Sequence, residues 1–266
     1  MDKHIVLSVD HLHISVSTPH GMKKIVNDVS FRLNRGEVLG LVGASGSGKT
    51  MTCLAIMGLL QESAIIEEGS ILLEGKNLLQ ATPAQMRSIR GGRLAVVMQN
   101  PMSAFNPTVT IGSHFMETLR AQRSLSRAEA RELAETYLGK TGLPRPAEIM
   151  KQYPFQLSGG MLQRAMIAIA MSLQPAVLIA DEPTTALDTV HQMRLLEQMR
   201  RLCEEQETAM LLVSHDLGVI AYMADEVMVM QEGSIVEKAP VARLFDGPEH
   251  PYTRMLLEAR PGIGLV

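Results

Sequence analysis

Tryptophan is absent from the 266 residues, and aromatic side chains are scarce throughout, with 4 tyrosines and 5 phenylalanines. A core built from this chain must therefore be aliphatic, with its gaps filled by the 19 methionines. Met166, Met171, Met193, Met199 and Met210 all sit among other apolar residues. They read as adaptable packing rather than as a metal-binding stripe. Cysteine is nearly missing too. Cys53 and Cys203 stand far apart with no metal-ligand spacing, which excludes a disulfide framework or zinc site and predicts a reducing cytoplasm. Long apolar runs are lacking: the best stretches, Ala209 to Val213 and Val177 to Ala180, are strand-sized, far short of the roughly 18 residues that span a bilayer. The opening Met1 to Asp10 carries Asp2 and alternates in polarity, unlike a signal peptide. The expectation is a soluble chain whose membrane role, if any, comes through partners. A formal charge of −3 leaves no basic footprint, so nucleic acid is excluded as a partner. Internal repeats and low-complexity linkers are missing as well.

What is present suits one large domain, or one core carrying an inserted lobe, because 46% of the residues are apolar. Short β-type runs alternate with helical patterns, which predicts an α/β fold around a mainly parallel sheet. Val38 to Val42 reads as a buried strand, followed by a glycine loop and a helix from Lys49 to about Gly58. Leu94 to Met98, Val177 to Ala180 and Met210 to Val213 are further strands ending in polar residues, the arrangement that puts a ligand at the carboxyl edge of a parallel sheet. Val6 to Ser17 and Val29 to Leu33 predict an antiparallel N-terminal β region, and Val227 to Val236 a hairpin turning at Glu232-Gly233. Asn100 to Pro154 differs, with helical charge patterning over Arg120 to Leu138 and proline-marked loops. The expectation is a core of residues 1–98 and 167–266 with a helical subdomain, 99–166, inserted in it.

Three stretches carry chemistry. Gly43-Ala44-Ser45-Gly46-Ser47-Gly48-Lys49-Thr50 is a complete G-x-x-x-x-G-K-[ST] loop between a predicted strand and helix. Its glycines let the backbone wrap phosphates while the helix aims N–H groups at them; Lys49 reaches the β- and γ-phosphates and the Thr50 hydroxyl holds Mg²⁺. The apolar run Ala176 to Ala180 ends in Asp181 and Glu182. Asp181 at a sheet edge can hold Mg²⁺, and Glu182 can polarise the attacking water as general base. Leu157-Ser158-Gly159-Gly160-Met161-Leu162-Gln163-Arg164 leads into an apolar helix; alone it reads as an N-cap with a glycine turn, or as a second anion site. His215 alone reads as a solvated or capping residue. Ser214-His215-Asp216 is no hydrolytic triad, since three consecutive residues cannot converge on one proton.

The order and spacing of the phosphate loop, Gln99, Leu157 to Gln163, Asp181-Glu182, Ala186-Leu187-Asp188 and His215 resemble the motif set of ATP-binding-cassette (ABC) ATPases over essentially the whole chain. The resemblance implies a P-loop fold that hydrolyses ATP with Mg²⁺. It implies that Ser158, Gly159 and Gly160 close over a nucleotide bound to a second ATPase subunit in a head-to-tail dimer. Gln99 is similar to the glutamine that touches Mg²⁺ or the attacking water, Asp188 to the residue communicating across the dimer, and His215 to the histidine at the γ-phosphate. Where the family stacks an aromatic ring on adenine, this chain offers His20, either as a weaker stacking group or as a polar loop residue.

Val97 to Pro107, Tyr153-Pro154-Phe155-Gln156 and His250-Pro251-Tyr252-Thr253-Arg254 narrow the resemblance to the dipeptide, oligopeptide and nickel importer group. That implies two membrane permease subunits, a solute-binding protein acting indirectly, and a place at the cytoplasmic face of the inner membrane. The chain lacks the cysteine-containing tail of many peptide-importer ATPases, which tilts the expected cargo towards nickel, with dipeptides or oligopeptides as the alternative. A translation or DNA-repair ABC protein would bring two cassettes or a coiled-coil insert, and a GTP switch would bring Asn-Lys-x-Asp. Neither is found. An exporter fits the importer-type stretches less well.

Overall fold

The computed structural model describes residues 4–184 and 189–259. In chain order the first elements are β1 (Ile5–Thr18), β2 (Gly21–Asn34), β3 (Val38–Val42), α1 (Lys49–Ile56), β4 (Ala64–Leu73) and β5 (Lys76–Asn77). After α2 (Pro83–Ile89) and β6 (Leu94–Val97) come four helices, α3 (Ile111–Gln122), α4 (Arg127–Lys140), α5 (Pro146–Ile149) and α6 (Gly159–Ser172). Then follow β7 (Val177–Asp181), α7 (Thr189–Gln206), β8 (Ala209–Val213), α8 (Leu217–Met223), β9 (Glu226–Gln231), β10 (Ser234–Pro240), α9 (Val241–Asp246) and α10 (Pro251–Glu258). The chain forms two compact units, Met1–Met86 with Ala209–Val266, and Arg87–Thr208. The second takes in the expected helical insert together with β6, β7 and α7.

In the first unit β1 pairs antiparallel with both β2 and β4. The pairing slips between Asp10 and His13, where His11 adopts a left-handed φ of 49°. Gly69 faces that bulge. A Cβ there would lie 2.6 Å from the His11 carbonyl oxygen, so only glycine lets the strands meet. β3 lies parallel to β8 and to β9, with Leu39 opposite Leu211 and Leu41 opposite Met228. All five residues of β3 and all five of β8 are buried, which is why both read as unbroken apolar runs. α8 packs on β3 through Gly40, whose missing Cβ would meet Ile220 at 3.1 Å. The predicted hairpin is present as β9 and β10.

In the second unit β6 and β7 run parallel, Leu94 opposite Val177 and Val97 opposite Ala180. α6 is buried along most of its length, from Leu162 to Ala168 and from Ala170 to Ser172, as its near-continuous apolar sequence requires. The pattern over Arg120 to Leu138 proves to be two helices. Ser126 interrupts it with a reciprocal cap, its hydroxyl accepting the Glu129 N–H at 3.3 Å while the Glu129 carboxylate accepts the Ser126 N–H at 2.8 Å. Among the described residues no helix is long and apolar enough to cross a membrane.

Candidate functional site

β3 ends at Val42 and the chain turns at once through Gly43, φ +155°, and Gly48, φ +109°. The turn is tight against its surroundings. A Cβ on Gly43 would fall 2.2 Å from the Met230 carbonyl oxygen, and one on Gly48 would fall 2.7 Å from Met230 Cε and 2.9 Å from the Ile25 carbonyl oxygen. Both positions exclude any other residue. Gly48 is the N-cap of α1 and supplies no capping side chain; the first turn thus presents backbone N–H groups and a positive dipole end, the chemistry that suits an anion. Lys49 Nζ folds back over the loop, donating to the carbonyl oxygens of Gly43 at 2.8 Å and Ala44 at 2.9 Å. Thr50 beside it is exposed, as are Ala44, Ser45 and Gly46, whereas Ser47 is buried.

His215 belongs to the same unit. Val213 is registered with Leu41, and the Ser214 N–H reaches the Leu41 carbonyl at 3.4 Å. His215 therefore emerges, exposed, at the carboxyl edge from which the phosphate loop departs. Its neighbours have local roles. Ser214 Oγ accepts the Asp216 N–H at 3.0 Å, and the Asp216 carboxylate caps α8 through the Gly218 N–H at 2.9 Å. His20 lies exposed at the turn between β1 and β2. The part of β2 that borders the loop is Ile25.

The second unit gathers the other candidates. Parallel register brings the ends of β6 and β7 level, so Gln99, two residues past β6, shares an edge with Asp181 and Glu182. Gln99 is exposed, while both acids are half-buried. Glu182 has φ +51°, a left-handed backbone that costs a side-chain-bearing residue about 1–2 kcal/mol and that clusters at functional sites. Ser158 is the N-cap of α6, its hydroxyl accepting the Met161 N–H at 3.3 Å; Gly159 and Gly160 open the helix behind it. Asp188 lies outside the described residues.

Sequence reasoning missed the supports of the loop. The Gly233 N–H donates to the Ser47 carbonyl at 3.0 Å, and the Ala44 N–H donates to Tyr252 Oη at 2.9 Å. The glycine of the β9–β10 turn was a readable signal. The tyrosine, 208 residues from its partner, was not.

The chain and its fold meet close parallels among known proteins. A family model described as "ABC transporter" matches residues 26–185. The probable D,D-dipeptide transport ATP-binding protein DdpD of Escherichia coli K12 is 43% identical over 261 residues, covering 98% of this chain and 80% of that protein. The glutathione import ATP-binding protein GsiA of the same strain is 42% identical over 99% of this chain, which spans only 43% of its length. Among solved structures, a dimeric post-hydrolysis state of an ATP-binding cassette bound to ADP and Pi superposes with a TM-score of 0.80 at 22% identity, covering 88% of this chain and 98% of that one.

Proposed function

The chain belongs to the ABC transporter family and is an ATPase of that family, and from this we propose that it is the ATP-hydrolysing subunit of an importer of peptide-like cargo. The observation that carries the nucleotide reading is the loop from Gly43 to Thr50, in which Gly43 and Gly48 admit no Cβ and the lysine lies folded over the loop's own carbonyls. Binding of ATP draws Lys49 to the β- and γ-phosphates. The backbone amides at the start of α1 bind the phosphate oxygens. In the second unit Glu182 accepts a proton from the attacking water, Gln99 orients that water, and His215 of the first unit contacts the γ-phosphate. The Thr50 hydroxyl in the first unit, and the Asp181 carboxylate and Gln99 amide oxygen in the second, are each hard oxygen donors of the kind Mg²⁺ takes; the ion when bound would neutralise phosphate charge. Catalysis comes mainly from positioning and electrostatics rather than covalent chemistry. His20 stacks on the base.

We propose further that the active form is a head-to-tail pair, with Ser158, Gly159 and Gly160 of one ATPase chain closing over the nucleotide of another and Asp188 communicating across the pair. The second chain is a related ATPase or a copy of this one. The pair drives two membrane permeases from the cytoplasmic face, and a solute-binding protein delivers the cargo. The named relatives, a D,D-dipeptide transporter and a glutathione importer, favour peptide cargo over nickel.

The test is a pull-down from native membranes with Glu182→Gln, ATP and Mg²⁺, identifying every chain that follows. Two permeases and a second ATPase are expected. Ribosomes, nucleic acid or no membrane protein would overturn transport while leaving the ATPase chemistry intact. The co-purified system's solute-binding protein should then take up peptides; binding of nickel alone would sink the peptide reading.

A further inference from the structure

The peptide plane joining Gly43 to Ala44 is held from both ends. Its carbonyl, on Gly43, accepts from Lys49 Nζ at 2.8 Å, and its N–H, on Ala44, donates to Tyr252 Oη at 2.9 Å. A trans peptide is planar, with C=O and N–H pointing in opposite directions, so the two side chains together fix its rotation. Tyr252 is itself held in place. His250 caps α10, its Nδ1 accepting the Tyr252 N–H at 3.2 Å. Glu237 on β10 accepts the N–H groups of Glu249 at 2.8 Å and His250 at 3.0 Å. Arg254 ties the same turn together, donating to the carbonyls of Pro248 at 2.9 Å and Glu249 at 3.1 Å. The hydroxyl is thus aimed by a helix moored to the sheet.

If the loop binds ATP as proposed above, Lys49 leaves the Gly43 carbonyl when it moves to a phosphate. The plane then loses one restraint at the moment the loop amides must be correctly aimed. We infer that Tyr252 is a positioning residue for the nucleotide: its hydroxyl keeps the Gly43–Ala44 plane fixed while Lys49 departs, so that α10 sets the affinity of the phosphate loop. This rests on the nucleotide-binding reading of that loop.

Tyr252→Phe keeps the ring and removes only the hydroxyl, which accepts the Ala44 N–H. The net worth of one neutral hydrogen bond corresponds to about a 2- to 10-fold change in an equilibrium constant. In the full chain with ATP and Mg²⁺, the Kd and KM for ATP should rise by about that factor, with kcat nearly unchanged and the nucleotide-free melting temperature preserved. The specific contact is read at the Ala44 amide itself: without nucleotide, its proton should exchange faster in Tyr252→Phe, while the amides of β9 stay as in the parent. An Ala44 amide unchanged in the variant, or an unchanged Kd, would overturn the role of Tyr252 while parental ATP binding keeps the nucleotide reading standing. A parent that does not bind ATP sinks both. If Tyr252→Phe lowers the melting temperature, loosening that reaches β9 as well as the Ala44 amide would mark a merely structural role and overturn the proposal.

Discussion

Glu182 combines two properties that rarely coincide in a residue of no consequence: a carboxylate at the carboxyl edge of a parallel strand pair, and a backbone φ of +51°. The first is what a general base needs; the second is a conformation that glutamate adopts only under constraint. Two substitutions separate them. Glu182→Gln retains the shape and should slow ATP hydrolysis about 10²- to 10⁴-fold, the usual span for a lost general base, while still binding nucleotide; single-turnover rates measure this, and near-parental turnover would remove Glu182 from the role. Glu182→Gly relieves the left-handed strain of about 1–2 kcal/mol, enough to offset the entropy glycine adds to the unfolded chain. Its thermal unfolding midpoint should lie above that of Glu182→Ala, which loses the same carboxylate and keeps the strain, with hydrolysis lost in both. The sequence made Asp181-Glu182 visible because an apolar strand stops there. It gave no sign of the left-handed backbone at Glu182.

At the scale of elements, the turn leading into α10 is moored to β10 through one carboxylate. Burial alone would raise the pKa of Glu237, but the Thr253 hydroxyl close by and the N–H groups of Glu249 and His250 more than offset it, and the net shift is downward. A pKa lowered by folding means stability that is fully present above the ordinary carboxylate value of about 4.3 and is lost as pH falls through the folded value. Hydrogen exchange at the α10 amides should therefore quicken as pH drops below about 4, after correction for intrinsic rates. Glu237→Gln should remove that pH dependence; an identical profile in the variant would clear Glu237 of the mooring. Elements were legible to unequal degrees. β3, β7 and β8 were read almost to the residue, since strands buried on both faces leave unbroken apolar runs. β4 was not, because Glu67-Glu68-Gly69 breaks its alternation to fit the bulge opposite. α3 and α4 merged into one pattern because their charge periodicity continues across the Ser126 cap.

For the molecule as a whole, scarcity of aromatic and sulfhydryl groups sets what can be observed. Cys203 is enclosed in α7, and burial, with the charge of Glu204 adding to it, pushes its thiol up to about 12. At pH 8 only about one thiol in ten thousand is then ionised. Ellman's reagent should leave Cys203 untouched until the surrounding core opens, so its labelling rate becomes a clock for unfolding; rapid labelling of the native chain would contradict its enclosure. The β1–β2 turn offers the complementary instrument. Gly21 has open space around it, His20 is exposed, and the same strand touches the phosphate loop at Ile25. Since the chain has no tryptophan, His20→Trp would install its only indole in uncrowded surroundings. Its emission on adding ATP would report, against a dark background, whether an adenine ring comes to rest at that turn.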